Sequence, residues 1–189
     1  PSYPRLLLKL YPVVDCKSKV CCLQSISALV TRFGLQVVQL FGDMTDIMKG
    51  AFEDYTVDPQ EGDIGSLVRL QAIEMVRIVM PFCDYSVLRR LLIIQAVGRL
   101  DRLRDRSLCI LSECFDISID DVFTYLHDNK EILKEALDGV VYTAGSKLRT
   151  EITNRAVTLL QAHKEVLCGY EPAGQRLQSA HRLALSRLI

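Results

Sequence analysis

The sequence predicts an all-α protein of antiparallel helix pairs, on three observations. Apolar residues recur at helical spacing from end to end, and no stretch alternates apolar and polar as a half-buried strand would. The residue usage favours helices, with 28 Leu among 189 residues and only 10 Gly and 6 Pro. With 49% apolar and 24% charged residues the chain has globular proportions, which excludes intrinsic disorder. A chain of this length forms one domain-sized unit and can bury about 70% of its extended surface.

Residues 15–33 place Val20, Leu23, Ser27 and Val30 on one face, and Gly34 closes that helix. Residues 35–55 continue helically, with a break at Gly42-Asp43 where Asp43 caps the second half. Residues 56–62 hold Pro59 and Gly62 and no apolar period, so they form a loop. Asp63 then caps a helix that reaches Met80 and is ended by Pro81. Ile64, Val68, Ala72, Met75 and Val79 line one face of it. Leu70, Ile73 and Val76 make the rest apolar, so it packs on several sides. Residues 86–115 are one long helix, or two that meet near Gly98. Shorter helices follow over 116–129 and 131–143. A longer one covers 147–166, and a last one begins at 180.

The charge balance is zero, with 23 Lys and Arg against 23 Asp and Glu, which argues against nucleic-acid wrapping or an acidic membrane surface. No apolar run approaches the 18 or so residues of a membrane span; the best, Leu91 to Ile94, is flanked by Arg89-Arg90 and Gln95. Pro1 stands where an initiator Met would, so the chain reads as a segment excised from a longer protein. The seven Cys include no C-x-x-C pair. They read as reduced thiols of a cytosolic protein, with Cys21, Cys109 and Cys114 serving as small buried hydrophobes and no metal bound. His127, His163 and His181 are isolated, and no hydrolase, P-loop or zinc-protease motif occurs, so an enzyme is not expected.

Three helices carry an apolar-Arg dipeptide in the same early place: Val68-Arg69, Leu103-Arg104 and Leu148-Arg149. Their separations of 35 and 45 residues bracket the period of about 40–47 residues found in HEAT and armadillo arrays. Asp63 followed by Val68-Arg69, Ala72 and Val76 fits the inner helix of such a repeat, in which an Asp and an Arg of neighbouring repeats form a ladder. The expected fold is a HEAT/armadillo-like α-solenoid segment over residues 1–189. Its repeats would fall at about 1–34, 35–80, 84–115 and 119–168, and a further helix would begin within 175–189.

Three islands resemble the carboxy-terminal region of the tubulin-folding cofactor D family. Glu53-Asp-Tyr-Thr-Val-Asp58 followed by Gly62-Asp-Ile-Gly-Ser-Leu-Val-Arg69 is the most specific. Gly98-Arg-Leu-Asp-Arg-Leu-Arg104 and Tyr142-Thr-Ala-Gly-Ser146 support it, in family order over about residues 53–160. The family often has Trp where Leu67 stands. The resemblance implies a longer HEAT solenoid, cytoplasmic and cytoskeleton-associated. It would capture β-tubulin and support heterodimer assembly with tubulin cofactors E and C and an Arf-like small GTPase. A HEAT adaptor for trafficking or nuclear transport is the alternative, and an all-α enzyme or regulatory subunit is the third.

Two charged features are the candidate partner-binding residues; no cofactor is implied. Glu53, Asp54, Asp58, Glu61 and Asp63 form an acidic run without Lys or Arg. In the sharper of two readings Asp54, Tyr55 and Asp58 rim a binding ridge, with Asp63 and Arg69 beside it; in the plainer one the run is a solvated loop. Its spacing lacks the ligand order of a calcium-binding EF-hand. Arg99, Arg102, Arg104 and Arg106 form a basic run interleaved with Asp101 and Asp105. Pairing along the helix explains part of it, and an acidic partner would take the remainder.

Overall fold

The structure, a computed structural model, describes residues 3–98 and 100–129. The helices predicted beyond residue 130, Arg99, Leu148-Arg149, the Tyr142–Ser146 island, Cys168, His163 and His181 lie outside the described residues. The described part is mostly helical: α1 (Tyr3–Leu10), α2 (Cys16–Phe33), α3 (Leu35–Phe41), α4 (Met44–Phe52), α5 (Gly65–Val79), α6 (Tyr85–Ala96), α7 (Asp101–Phe115) and α8 (Ile119–Asp128). The chain divides into two compact units, Pro1–Leu92 and Ile93–Ile189. The division falls inside α6 rather than at any predicted repeat boundary.

Most helix ends sit where their capping residues place them. Asp15 accepts from the Ser18 N–H at 2.9 Å to open α2, and Gly34, at φ +53°, closes it by donating to the Val30 carbonyl at 2.8 Å. Asp43 accepts from the Thr45 N–H at 2.8 Å and opens α4 after the break at Gly42. Pro81 ends α5 inside a single 3-10 turn, Met80–Phe82. The predicted long helix is two, α6 and α7, separated at residues 97–100.

The first unit has its core on α5. Val68, Ala72, Ile73, Met75, Val76 and Val79 are all fully buried, so this helix is enclosed on more than one face. Leu23 and Ile26 of α2 and Met48 and Ala51 of α4 are buried too, and both helices pack on α5. Gln24 of α2 donates to Gln71 of α5 at 3.2 Å, and Lys19 reaches Asp54, whose carbonyl is held by Arg69. Early residues meet early and middle meet middle, so α2 and α5 run in the same direction. In the second unit Ile93, Ile110, Leu111 and Val122 are fully buried.

Three features depart from expectation. Residues 3–10 form a helix that the sequence reading left unassigned; Pro4 sits in its first turn, where a missing N–H costs nothing. The expected loop contains a minimal antiparallel hairpin, β1 (Val57–Asp58) against β2 (Gly62–Asp63), with Val57 opposite Asp63 and Asp58 opposite Gly62. Strands of two residues are too short to show any alternation, so the prediction of no sheet fails here. Asp116 ends α7 with φ +53° instead of opening the next helix, which begins at a capping box of Ser118 and Asp121.

Candidate functional site

The hairpin and the first turns of α5 gather five of the nine predicted residues, together with partners the sequence did not reveal. The local chain path follows from two glycines. Gly62 takes φ +79°, open to glycine at no steric cost, and turns the chain into β2. A Cβ at Gly65 would overlap the Asp54 carbonyl oxygen and lie 2.7 Å from the Thr56 nitrogen, so only glycine lets α5 start against the backbone of residues 54–56. The Gly65 N–H donates to the Thr56 carbonyl at 2.9 Å and fastens that approach.

Asp54 is the hub. Its side chain is only 4% exposed, and Lys19 Nζ donates to Oδ2 at 2.7 Å. The Thr56 hydroxyl and N–H donate to Oδ1 at 2.6 and 3.1 Å, and the Cys16 thiol lies 4.0 Å from the same oxygen. Burial alone would raise the Asp54 carboxyl, but the hydrogen bonds from Lys19 and Thr56 outweigh it and hold it below the ordinary aspartate range. Nearby, the Tyr11 hydroxyl is buried without a hydrogen-bond partner in the described structure. Burial first, then the Asp54 charge, raises its pKa well above the usual tyrosine value. Asp54 therefore corrects the expectation that it rims a surface ridge: it is an internal tie between α2 and the hairpin.

Arg69 is the second anchor. Its guanidinium is buried and forked, Nη1 donating to the Asp54 carbonyl at 2.6 Å and Nη2 to Asp63 Oδ2 at 2.7 Å. The Tyr55 ring covers it, with the guanidinium carbon 4.3 Å from the ring centroid. Asp63 accepts from the Ser66 N–H at 3.1 Å through its other oxygen, so it caps the start of α5 as predicted, from one residue outside the assigned cap. Asp63 was expected to approach Arg69 or an Arg of the next repeat, and here it pairs with Arg69. Asp58 accepts from the Gln60 and Glu61 N–H groups at 2.7 and 2.8 Å, which depresses its pKa and shapes the hairpin turn. Glu61 meets Lys17 at 3.7 Å. Four of the five acids in the run thus have partners, although the Glu61–Lys17 pair is exposed and most of residues 53–62 face solvent, as the plainer reading of a solvated loop has it.

The basic run lies in the second unit, on α7. Arg102 is exposed and Arg106 half-buried, its Nη1 3.5 Å from Cys109 Sγ. Arg104 is buried, 1% exposed, where an outward-facing contact was expected. It donates to Asp101 and, at 3.2 Å, to the Gly98 carbonyl. Arg69 and Arg104 share one local design: each is buried near a helix start and ties a carboxylate and a backbone carbonyl just upstream. The six described cysteines are free thiols, but the buried ones are Cys16 and Cys22, while Cys21 is exposed and Cys109 and Cys114 are half-buried. Among the described residues no group of three or more His, Cys, Asp or Glu could hold a metal ion, and no helix is long and apolar enough to cross a membrane.

The sequence reading missed Lys19, Cys16 and Thr56. The pair Asp54-x-Thr56 is a recognisable side-chain-to-backbone turn. Lys19 stands 35 residues away from Asp54, and no local signal links them. Comparison with known proteins adds nothing to this geometry: no family model, no curated protein and no solved structure matches the chain.

Proposed function

We propose that the chain is a helical-repeat scaffold that captures a folded protein client, and that the client is tubulin, in the manner of the cofactor D chaperones its motifs resemble. One observation carries the reading. The segment 53–69 keeps Asp54, Asp63 and Arg69 inside and turns Tyr55, Val57 and Leu67 outward, at 58%, 59% and 41% exposure. A solvated connector does the reverse, because water favours the charged groups. Buried ion pairs here stiffen a segment that turns three large apolar side chains outward, which suits docking against a partner. Leu67 stands at the position where the resembled family often has Trp.

The shared direction of α2 and α5 supports stacking as a solenoid, since equivalent helices of successive helix pairs run the same way. Capture is by surface complementarity, with no chemistry of its own. β-Tubulin is the client; cofactors E and C and an Arf-like small GTPase are the companions, in the cytoplasm at the microtubule cytoskeleton. Arg102 and Arg106 of α7 provide a basic contact for an acidic client.

The test is binding of purified αβ-tubulin to the 189-residue protein, measured for the parent and for Tyr55→Ser with Leu67→Ser. The expected result is a loss of roughly tenfold or more, with only the small fall in melting temperature due to the Tyr55 ring lost from over Arg69. Unchanged tubulin affinity in the double variant refutes the hairpin as the contact. Binding to a panel of trafficking cargo proteins in place of tubulin would favour the adaptor reading.

A further inference from the structure

The first unit has a second unusual surface, away in sequence from the hairpin. Helix α1 buries Pro4 and Leu7, while Tyr3, Leu6 and Leu10 form an outward stripe at 56%, 44% and 40% exposure. Helix α3, which packs on α1, also exposes Leu35 at 59% and Leu40 at 40%. Arg5 and Lys9 flank the stripe one helical step round, both exposed, and Arg32 lies at the end of α2 next to α3. None of the three cations has an ion pair among the described residues. From residue 3 to residue 42 the sequence contains a single acidic residue, Asp15, and it is spent capping α2.

We propose that the outer face of α1 and α3 docks an acidic amphipathic helix of another protein. An apolar stripe on one helix accepts the i, i+3, i+4, i+7 residues of a partner helix, and the unpaired cations select Glu or Asp on its flanks. Three exposed apolar side chains on one short helix, beside two exposed cations that no carboxylate among the described residues pairs, favour an acidic partner over an acid-free one. An anionic bilayer offers similar chemistry but fits less well. Helix α1 is only eight residues long and spends its other face on the core, so it cannot lie apolar face down in a bilayer as a free amphipathic helix would. This surface is independent of the hairpin and of the client reading.

The experiment titrates the 189-residue protein into fluorescein-labelled helical peptides of about 18 residues, followed by anisotropy. One peptide carries Leu at i, i+3, i+4 and i+7 with Glu on its flanks; the other has Lys in place of each Glu. A third arm is sedimentation with phosphatidylcholine/phosphatidylserine vesicles. The Glu peptide is expected to bind saturably, roughly tenfold or more tightly than the Lys peptide, and to weaken by a similar factor in Arg5→Glu/Lys9→Glu. Its amide shift changes in the labelled protein should map to α1 and α3, and Tyr55→Ser with Leu67→Ser should leave its binding unchanged. Equal binding of the two peptides, no saturable binding of the Glu peptide, shifts mapping elsewhere, or vesicle binding in preference would each overturn the proposal. The peptide comparison uses the unmodified protein, so it holds even where a variant folds poorly.

Discussion

Replacing Asp54 by Asn should destabilise the first unit far more than a loop substitution normally does. The carboxylate is almost wholly buried and receives Lys19 at 2.7 Å and two donors from Thr56. Removing one partner of a buried ion pair costs about 3–5 kcal/mol, because the other charge is left without compensation. Lys19 is 19% exposed and can turn its ammonium towards water, which lowers the expected cost to about 2–3 kcal/mol. Urea unfolding at fixed pH measures this directly, and a cycle with Lys19→Met isolates the pair. The double variant should be less destabilised than the sum of the singles by about 1.5 kcal/mol or more. A single-variant cost under about 0.5 kcal/mol, or additivity of the two changes, would refute the assignment of Asp54 as a structural hub.

The same bond sets a pH dependence whose sign is fixed. The folded-state pKa of Asp54 lies below its unfolded value, because the bonds from Lys19 and Thr56 outweigh burial. The ionised carboxylate therefore contributes its full stabilisation above the unfolded value, near pH 4. That contribution is lost as pH falls through the lower folded value. Parent protein should lose stability more steeply than Asp54→Asn below about pH 4, and parallel profiles would contradict the bond geometry.

Two further outcomes follow from packing. Gly65→Ala drives a Cβ into backbone atoms of residues 54 and 56, neither of which is a flexible side-chain end, and should cost about 1–3 kcal/mol in urea unfolding. On α7, Arg104→Ala should cost about 2–3 kcal/mol through lost packing and the freed Gly98 carbonyl, while Arg102→Ala stays within about 0.5 kcal/mol. Similar melting temperatures for the two alanine variants would show that Arg104 carries no structural weight.

Helix positions were largely legible in the sequence, because their determinants are local. Asp15, Gly34, Asp43, Pro81 and Gly98 each mark a boundary within a residue or two of where the structure has it. What escaped was too short or too symmetric to carry a period. Helix α1 has eight residues, with Leu on both its inner and outer sides. The two-residue strands follow from Asp58 gathering the turn N–H groups, not from any hydrophobic alternation. At the site the same line divides success from failure. Asp63 and Arg69 are six residues apart across a helix start, and their association was foreseen; Lys19 and Asp54 are held together only by the packing of α2 on α5.

The basic run on α7 shows where residue type misled although position did not. Leu103, Ser107, Ile110 and Leu111 are buried, and on a helix of 3.6 residues per turn they define an arc of about 100°. Arg104 sits next to Leu103 and one helical repeat or two from Ser107 and Leu111, at the edge of that arc, while Arg102 falls outside it. The period alone therefore placed Arg104 inward and Arg102 outward. Counting charges in an eight-residue window averaged over the two faces and assigned both to a partner. In the acidic run the matches of Asp58 and Asp63 are local, to turn N–H groups and to Arg69, whereas only the fold brings Lys19 to Asp54 and Lys17 to Glu61. Once those charges are assigned, the large apolar side chains that the segment exposes are Tyr55, Val57 and Leu67, beside the exposed Glu53, Gln60 and Glu61. The contact surface proposed for the client is therefore defined by its apolar residues, and the charges that first drew attention to it are what hold it in shape.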